Sequence, residues 1–323
     1  MKLNVLVMSA GSIPGVAIIE ALRNQNEVPV RLIGADMGRL SAGFLLADAS
    51  HVVSGAHQSD FIPSILAICR QEQVHVIFPV IDEELQTFAD HAPTFTAEGI
   101  RVITNPPELV RVAKDKSLTA RRCAELGVLA PPTLLKDDLG RVPLPPFPLV
   151  VKPRDGRGTV GVHIVRDKHE LDFFLDRVSN AMIQQFIEGA EFTIDVLTDF
   201  DGNLISLVPK QRLQVKAGMQ VKGRTVKDPQ LLAYGAEIVR KFGLVPRGNI
   251  QCIRAVDGSL YLIEINPKFP ASLPFTLRAG VNGPLLLLKM HLGQKIAPMI
   301  GQFQENLVMM RVWRELYTHD QVS

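Results

Sequence analysis

Strand-like and helix-like segments alternate along the first third of the chain, and this alternation constrains the fold more than any other feature. The strand-like runs are short and apolar, and they lie at 4–8, 30–35, 74–79 and 99–104. Helix-like segments separate them, at 16–23, 61–72 and 82–90. Such repeats build a parallel sheet covered on both faces, because their crossovers are right-handed. We therefore predict an α/β fold that opens with a doubly wound parallel sheet over residues 1–105.

A dinucleotide-binding function is the first alternative that this sheet suggests, and the sequence disfavours it. The turn after the first strand reads Ser-Ala-Gly-Ser-Ile-Pro-Gly (9–15), which is not a G-x-G-x-x-G fingerprint. Pro14 occupies the first turn, where a pyrophosphate would approach. Asp36, after the second strand, is as consistent with a loop cap as with a ribose contact. The acids at 82–84 suit a helix dipole, and a contact to an amine-bearing substrate is the alternative.

Composition limits the functions that remain. A chain of 323 residues exceeds what one hydrophobic core usually serves, so we expect two or three domains. The 35 Lys and Arg nearly balance the 33 Asp and Glu, without a dense basic tract, which argues against nucleic acid or an acidic membrane as partner. Cys69, Cys123 and Cys252 lie far apart in apolar surroundings and are expected to be reduced thiols. No apolar run is long enough to span a bilayer, so we expect a cytoplasmic protein.

A glycine-rich loop follows a strand that carries a lysine near its end. The strand spans 149–153 and contains Lys152, and the loop after it has glycine at positions 156, 158 and 161. Two strands joined by such a loop form a flap whose backbone N–H groups can cover phosphates, and Lys152 would add positive charge. The alternative interpretation is a mobile hairpin whose lysine protects a sheet edge from aggregation.

Three oxygen-bearing side chains fall on one face of a predicted hairpin later in the chain. Segments 249–256 and 261–266 read as strands, and the Asp-Gly-Ser between them is a tight-turn signal. Strand side chains alternate between faces, so Glu264 and Asn266 point the same way and Gln251 can face the same space. These ligands suit Mg²⁺, which usually binds through one or two carboxylates plus nucleotide phosphates. The alternative is a hairpin with one solvated polar face.

The segment between the flap and this hairpin joins two strands through a hinge. It reads Ala-Met-Ile-Gln-Gln-Phe-Ile-Glu-Gly-Ala-Glu (181–191). With this segment the chain resembles the ATP-grasp superfamily, and within it the carbamoyl-phosphate-synthase-like branch of stand-alone carboxylate–amine ligases. The resemblance extends in order over nearly the whole chain. It implies a Rossmann-like pre-ATP-grasp domain at 1–105, a small ATP-grasp subdomain with the flap at 106–187, and a large subdomain with a C-terminal tail at 188–323.

The resemblance also implies a nucleotide site made of phosphate-contacting lysines, a phosphate-covering loop, an adenine-binding hinge and a ribose-binding carboxylate. Its residues are, in that order, Lys116, Lys152 and Lys216; Gly156, Gly158 and Gly161; Gln184, Gln185, Phe186 and Ile187; and Glu191. Lys116 lies on a helix that we predict at 106–124. Backbone groups of Gln184 and Phe186 would recognise adenine, and Ile187 would pack beside the ring. The implied metal ligands are Gln251, Glu264 and Asn266, the set that the hairpin geometry favours independently.

Two cations are the implied catalytic residues. Lys268 falls where the family usually has arginine and would stabilise an acyl-phosphate, although lysine lacks the planar fork of a guanidinium. Arg212 is either an anchor for the substrate carboxylate or transferred phosphoryl group, or an exposed charge on a strand, and the sequence leaves both interpretations open. We expect Lys210 and Lys222 to be exposed strand charges. Trp313 is expected to pack against the core, with a subunit contact as the weaker alternative.

The function implied by the resemblance is ATP-dependent formation of a C–N bond. The enzyme would activate a small-molecule carboxylate as an acyl-phosphate and join it to an amine, releasing ADP and phosphate. ATP and Mg²⁺ are the implied cofactors, with Mn²⁺ as an alternative ion. Two alternatives stay open: another ATP-grasp phosphoryl-transfer enzyme of the carboxyphosphate or carbamate kinase type, and a non-catalytic ATP-binding regulatory protein. Carboxylate and amine substrates are the implied partners, and homodimers are common in the family.

Overall fold

The first of three sheets is parallel and five-stranded. A computed structural model describes residues 2–156 and 158–319, and it gives this sheet the order β3-β2-β1-β4-β5. Its strands are β1 (Leu3–Val7), β2 (Val30–Asp36), β3 (Ala49–Val52), β4 (Val76–Phe78) and β5 (Arg101–Val102), and its helices are α1 (Ile13–Arg23), α2 (Phe61–Glu72) and α3 (Asp82–Ala97). The α/β prediction is confirmed. The sequence pattern did not predict β3, because this short edge strand carries Ser and His between its apolar residues.

Both faces of this sheet are buried, which explains why its strands are almost continuously apolar. Val5 packs in one core with Ile18 of α1, whereas Leu6 packs in the opposite core with Phe61 of α2 and Phe88 of α3. All five side chains are at most 2% exposed. Burying each side chain of this size contributes roughly 1.5–3 kcal/mol. The helices therefore hold the carboxyl edge of the sheet in a fixed place.

Two short helices, α4 (Pro107–Lys114) and α5 (Lys116–Glu125), lead out of the first sheet. The prediction of one helix at 106–124 is wrong at Asp115, whose backbone is extended, with φ −109° and ψ 111°. Its carboxylate accepts hydrogen bonds from the backbone of Ser117 and Leu118 and so caps α5. Burial raises the pKa of Asp115, but the ion pair with Arg154 and these caps outweigh burial and hold it at about 2. Arg154 is distant in sequence, so helical periodicity cannot reveal the break.

The second sheet is antiparallel and four-stranded, in the order β6-β9-β7-β8. Its strands are β6 (Thr133–Leu135), β7 (Leu149–Pro153), β8 (His163–Val165) and β9 (Ala181–Gln185), and α6 (Lys168–Leu175) packs on one face. Val151 and Ile183 are buried against Leu171 of α6. The opposite face is therefore free to line a cleft.

The third sheet is antiparallel and six-stranded, in the order β14-β13-β10-β11-β12-β15. Its strands are β10 (Gly189–Thr198), β11 (Leu204–Lys216), β12 (Met219–Thr225), β13 (Arg247–Ala255), β14 (Leu260–Asn266) and β15 (Val308–Met310); the helices are α7 (Pro229–Phe242), α8 (Leu273–Arg278) and α9 (Gly283–His291). The predicted hairpin is present as β13–β14, with Gly258 at φ +86° in its turn. The domain boundaries at 105 and 187 stay predictions.

Two expectations about exposure are wrong. Lys210 is fully buried, because β11 continues past residue 208 and places its ammonium beside Asp195 of β10 at 2.6 Å and near Ser272 and Thr276. Trp313 is 67% exposed instead of packed, because it follows the edge strand β15 and lies outside the cores. Lys222 is exposed, as expected. None of the helices in the described part of the chain is both long and apolar enough to cross a lipid bilayer.

Candidate active site

A cleft of about 1150 Å³ lies where the three sheets meet. Its walls are the carboxyl edge of the first sheet and the face of the second sheet that α6 does not cover. Residues from β10, β11, β13 and β14 of the third sheet complete the walls. The predicted site residues that line it are Lys116, Lys152, Gly156, Gly158, Gln184, Gln185, Phe186, Ile187, Glu191, Arg212, Gln251, Glu264, Asn266 and Lys268. Gly161 and Lys216 lie beside the cleft without lining it. Residues that are far apart in sequence thus converge on one space.

Lys152 and Lys116 place two ammonium groups at the mouth of the flap. Lys152 is 6% exposed and donates a hydrogen bond of 2.7 Å to Gln184 Oε1. Burial lowers the pKa of Lys152 to about 8; the Glu264 carboxylate acts against this shift, and Lys116 adds to it. Lys116 donates to the backbone oxygen of Gly156 at 2.6 Å. Both lysines thus have neutral oxygens as hydrogen-bond partners.

The flap carries two glycines in the left-handed region and contacts a turn of the third sheet. Gly158 and Gly161 have φ of +66° and +71°. A Cβ on Gly161 would lie 3.1 Å from Pro153 Cγ, so this glycine shapes the flap from outside the cleft. A Cβ on Gly218, in the β11–β12 turn, would lie 2.7 Å from Gly158 Cα. The two backbones therefore touch over the cleft.

Two neighbouring backbone N–H groups of the hinge, those of Phe186 and Ile187, differ in their hydrogen bonding. The Phe186 N–H donates to the Pro148 oxygen at 3.3 Å, so it is engaged within the second sheet instead of facing a ligand. Within residues 2–156 and 158–319, no hydrogen-bond partner contacts the Ile187 N–H. This strand–hinge contact engages the Phe186 N–H and leaves the Ile187 N–H as a donor at the hinge. Recognition of adenine by backbone groups of Gln184 and Phe186 stays a prediction.

Arg212 is a buried guanidinium that joins three parts of the cleft. Its side chain is 7% exposed, and its Nε lies 2.9 Å from Glu191 Oε1. It also donates to Thr193 Oγ1 at 3.3 Å and to the Gly218 oxygen at 2.9 Å. Burial raises the pKa of Glu191, and Arg212 acts against this shift. The exposed-strand interpretation of Arg212 is wrong, since its head group points into the cleft.

The β13–β14 hairpin brings the three oxygen-bearing side chains together. Gln251 and Glu264 are directly opposite each other in the strand register, and Asn266 is opposite Asn249. Asn266 Nδ2 donates to Asn249 Oδ1 at 3.4 Å, which leaves the Asn266 oxygen directed elsewhere. Among the described residues, no hydrogen bond or ion pair contacts the Glu264 carboxylate. The cleft face of the hairpin thus presents one carboxylate and two amides, and the charge of the carboxylate acts on Lys152 from a distance.

Lys268 pairs with an acid from the first sheet. Its ammonium contacts Asp82, the first residue of α3, and the two side chains are 17% and 32% exposed. The sequence indicated the acids at 82–84 as a candidate contact, but it did not indicate that Lys268 is the partner. Lys216 is exposed at the end of β11. Of these two lysines, Lys268 lines the cleft and Lys216 does not.

Family models match two parts of the chain. Residues 177–312 match the model described as ATP-grasp in the biosynthetic pathway with Ter operon, and residues 5–103 match the PylC-like N-terminal domain. The C-terminal part of the chain is therefore similar to an ATP-grasp domain, and the first third is similar to a PylC-like N-terminal domain. Curated relatives include the carbamoyl phosphate synthase large chain of Gemmatimonas aurantiaca, which is 23% identical over 239 residues, or 65% of this chain and 21% of that one. The chain thus spans about a fifth of the length of such relatives.

Solved structures share the fold at low identity. N5-carboxyaminoimidazole synthetase from Staphylococcus aureus, complexed with ADP, has a TM-score of 0.78 and 13% identity, covering 97% of this chain and 83% of that one. An L-amino acid ligase from Bacillus licheniformis has a TM-score of 0.69 and 16% identity, covering 92% and 78%. The prediction of an ATP-grasp fold similar to stand-alone ligases is confirmed.

Proposed function

We propose that this chain is an ATP-dependent ligase that activates a small-molecule carboxylate as an acyl-phosphate and joins it to an amine, releasing ADP and phosphate. The observation that carries the proposal is the convergence of Lys116, Lys152, Arg212, Glu264 and Lys268 on one cleft under a glycine flap. Phosphoryl transfer needs little covalent chemistry from a protein, so it depends on positioned charges of this kind.

ATP would lie with its adenine at the hinge and its phosphates under the flap. The Ile187 N–H and the neighbouring backbone would recognise adenine, and Glu191 would accept hydrogen bonds from the ribose. Lys152 and Lys116 would exchange their present oxygen partners, Gln184 and Gly156, for phosphate oxygens. The contact of Gly158 with Gly218 would then keep the flap over the terminal phosphate and exclude water.

The hairpin fits a magnesium ion that arrives with the nucleotide. Glu264 supplies one carboxylate, and Gln251 and Asn266 supply amide oxygens, a donor set that suits a hard cation. No group of three His, Cys, Asp or Glu side chains is placed to hold a metal within the described residues, so the remaining ligands would be phosphate oxygens and water. When bound, Mg²⁺ neutralises charge on the phosphates, and Mn²⁺ is the alternative ion.

The carboxylate and the amine would meet at the Lys268 end of the cleft. A carboxylate is a poor electrophile, and transfer of the terminal phosphoryl group gives it a good leaving group. Lys268 and Arg212 would neutralise the carboxylate and the migrating phosphoryl group. Asp82, which holds Lys268 without a ligand, would be left to accept a hydrogen bond from the incoming amine. The amine then attacks the acyl carbon and phosphate departs.

Acceptor-dependent ADP formation tests this proposal. The purified chain would be incubated with ATP, Mg²⁺ and pairwise mixtures of amino acids, and ADP would be measured for each mixture. We expect ADP release that requires both a carboxylate and an amine, and hydroxylamine should trap the acyl-phosphate as a hydroxamate. ADP that forms with a carboxylate alone, with no amide product under any mixture, would favour a kinase-type reaction. Nucleotide binding without turnover would favour a regulatory protein.

Replacing Glu264 tests the metal assignment. Glu264→Ala should lower turnover by at least ~100-fold while the protein stays folded, because the hairpin loses the carboxylate that faces the cleft. Glu108→Ala is the matched control, since Glu108 is a glutamate with a 70% exposed side chain that pairs with Arg111 and does not line the cleft. Turnover in Glu264→Ala equal to that of the control would refute the assignment.

A further inference from the structure

Arg247 is a fully buried charge whose role the nucleotide site does not explain. It is the first residue of β13 and is 0% exposed. Among the described residues that are fully buried, its side chain is the largest. A guanidinium removed from water is costly unless hydrogen bonds compensate it, so its partners show what it holds.

Its partners are backbone oxygens from both sides of the junction between the first and third sheets. Nη1 donates to the Pro267 oxygen at 3.0 Å, and Nη2 donates to the Pro79 oxygen at 2.8 Å and the Ile103 oxygen at 2.9 Å. Its Cζ lies 5.1 Å above the Phe269 ring. Pro79 and Ile103 directly follow β4 and β5, and Pro267 directly follows β14. One planar fork thus ties two ends of the parallel sheet to the end of the hairpin.

A second buried side chain, that of Asn105, also donates a hydrogen bond to the Pro267 oxygen. Asn105 is 1% exposed, and its Nδ2 donates to the oxygens of Arg247 and Pro267 at 2.8 and 3.0 Å. The Val245 N–H donates to Asn105 Oδ1 at 3.0 Å. The Pro267 carbonyl therefore has two donors, one from each of two different segments, and its position is fixed.

The fixed carbonyl lies between two residues of the proposed site. Pro267 separates Asn266 from Lys268, and Pro79 lies three residues before Asp82, the partner of Lys268. By holding Pro79 and Pro267 at a set distance, Arg247 determines how Asp82 approaches Lys268 and how Asn266 faces the cleft. Arg247 itself does not line the cleft.

We propose that Arg247 is a positioning residue that aligns the metal-binding hairpin and Lys268 with the first sheet. This inference rests on the proposed function. Groups that orient a metal ligand without touching the metal typically contribute 10–100-fold to metal affinity or activity. Arg247 would therefore affect metal binding and turnover more than metal-free nucleotide binding, which depends on the hinge and the flap lysines on the other side of the cleft.

The test compares Arg247→Lys with Arg254→Lys. Lysine keeps a nitrogen donor on a long side chain at position 247 but cannot reach three carbonyls with a planar fork. Arg254 is the matched control, because it lies at the other end of β13 and pairs with Asp228 outside the cleft.

Titrations would give the affinity for ADP without metal and the affinity of the ADP complex for Mn²⁺, and steady-state kinetics would give kcat. For Arg247→Lys we expect ADP affinity within about twofold of wild type, and Mn²⁺ affinity and kcat lowered about 10–100-fold. Arg254→Lys should match wild type in all three.

Three results would overturn the inference. Wild-type Mn²⁺ affinity and kcat in a folded Arg247→Lys protein would show that the fork does not position the site. An equal loss of metal-free ADP affinity would indicate general destabilisation. If Arg247→Lys does not fold, Asn105→Ala removes the second donor to Pro267 and should reduce Mn²⁺ affinity selectively; an unchanged affinity there would also refute the inference. A wild-type protein that binds no ADP would instead refute the proposed function on which it rests.

Discussion

Buried lysines show how far the environment of a single residue determines its chemistry. Lys152 and Lys210 both lie on strands, and neither strand sequence indicates that its lysine is buried. Lys210 contacts Asp195 and side chains more than 60 residues away, so only the folded chain reveals its partners. Lys152 could be assigned to the cleft because it precedes a glycine-rich loop, which is a local pattern. Trp313 had no such local signal, and its exposure was not predicted.

Nucleotide binding should be linked to the protonation of Lys152. Because its pKa is about 8 without a ligand, roughly half of these side chains are neutral at pH 8, and phosphate oxygens favour the charged form. At pH 8 protonation of Lys152 should therefore add about 0.5 proton to the uptake on ADP binding, and this contribution, measured as the difference from a Lys152→Arg variant, should approach zero at pH 6.5. Calorimetry in two buffers with different ionisation enthalpies measures this uptake.

Lys152→Arg provides the control for this linkage. The guanidinium stays charged throughout the range, so the variant should bind ADP without the uptake at pH 8. In the wild type, affinity for ADP should decline from pH 7 to pH 9, and in the variant it should stay level. An identical proton uptake in both proteins would contradict the assignment of the titrating group to Lys152.

At the scale of elements, local patterns predicted the β13–β14 hairpin but not the β11–β12 hairpin. The first has alternating side chains and an Asp-Gly-Ser turn, which are strong local signals. The second turns through Ala217 and Gly218, at φ of +48° and +73°, and Ala-Gly is a weak turn signal because alanine resists positive φ. Its contact with the flap joins separate sheets, so no spacing in the sequence indicates it. A site residue could thus be predicted where its position depends on a local sequence pattern. The contact between the flap and the third sheet could not be predicted, because it joins segments that are far apart in the chain.

Gly218→Ala should weaken closure of the flap. The added methyl group would lie 2.7 Å from Gly158 Cα, so either the turn or the flap must move. We expect kcat/KM for ATP to fall ~10-fold, which corresponds to ~1.4 kcal/mol. Steady-state kinetics measures this fall, and hydrogen exchange in the flap of the ADP complex should be faster than in wild type.

Gly243→Ala is the control that distinguishes an effect on flap closure from an effect of backbone strain at a positive φ. Gly243 caps α7 at φ +65°, and no heavy atom lies within 4 Å of its Cβ position. Both substitutions impose similar strain, roughly 1–2 kcal/mol, but the Gly243 variant does not touch the flap. Equal kinetics in the two variants would show that the Gly158–Gly218 contact has no part in turnover.

For the whole molecule, the junction between the first and third sheets depends on buried polar groups as well as apolar packing. Glu84 is 3% exposed and accepts hydrogen bonds from Ser9 Oγ at 3.0 Å, from the Ile81 N–H at 3.1 Å and from the Val80 N–H. These bonds fix the segment that leads to Asp82, while Arg247 holds its Pro79 carbonyl. Burial raises the pKa of Glu84 to about 7 despite the hydrogen bonds. The contacts of Glu84 lie within the first sheet unit and those of Arg247 join two sheets, and neither set can be read from a pattern of apolar residues.

Global stability should therefore decrease as pH rises through the range set by Glu84. In the unfolded chain this carboxyl group ionises near its ordinary pKa of 4.5, whereas in the folded protein it keeps its proton to about pH 7. Between these values the folded state binds more protons, so the free energy of unfolding falls by up to ~1.4 kcal/mol per pH unit. The contribution is fully present below pH 4.5 and is lost above pH 7.

Glu84→Gln stays neutral at every pH, so its difference in unfolding free energy from wild type isolates this one group. Denaturant unfolding at four pH values from 4.5 to 7.5 would give that difference directly. We expect the stability of wild type relative to the variant to fall by roughly 3 kcal/mol across the range. Glu125→Gln, at an exposed glutamate of α5, should show a constant difference. A constant difference for Glu84→Gln as well would contradict the prediction. It would mean that the Glu84 carboxyl group has the same pKa in the folded and unfolded chains, so that a partner or solvent stabilises its charged form in the fold.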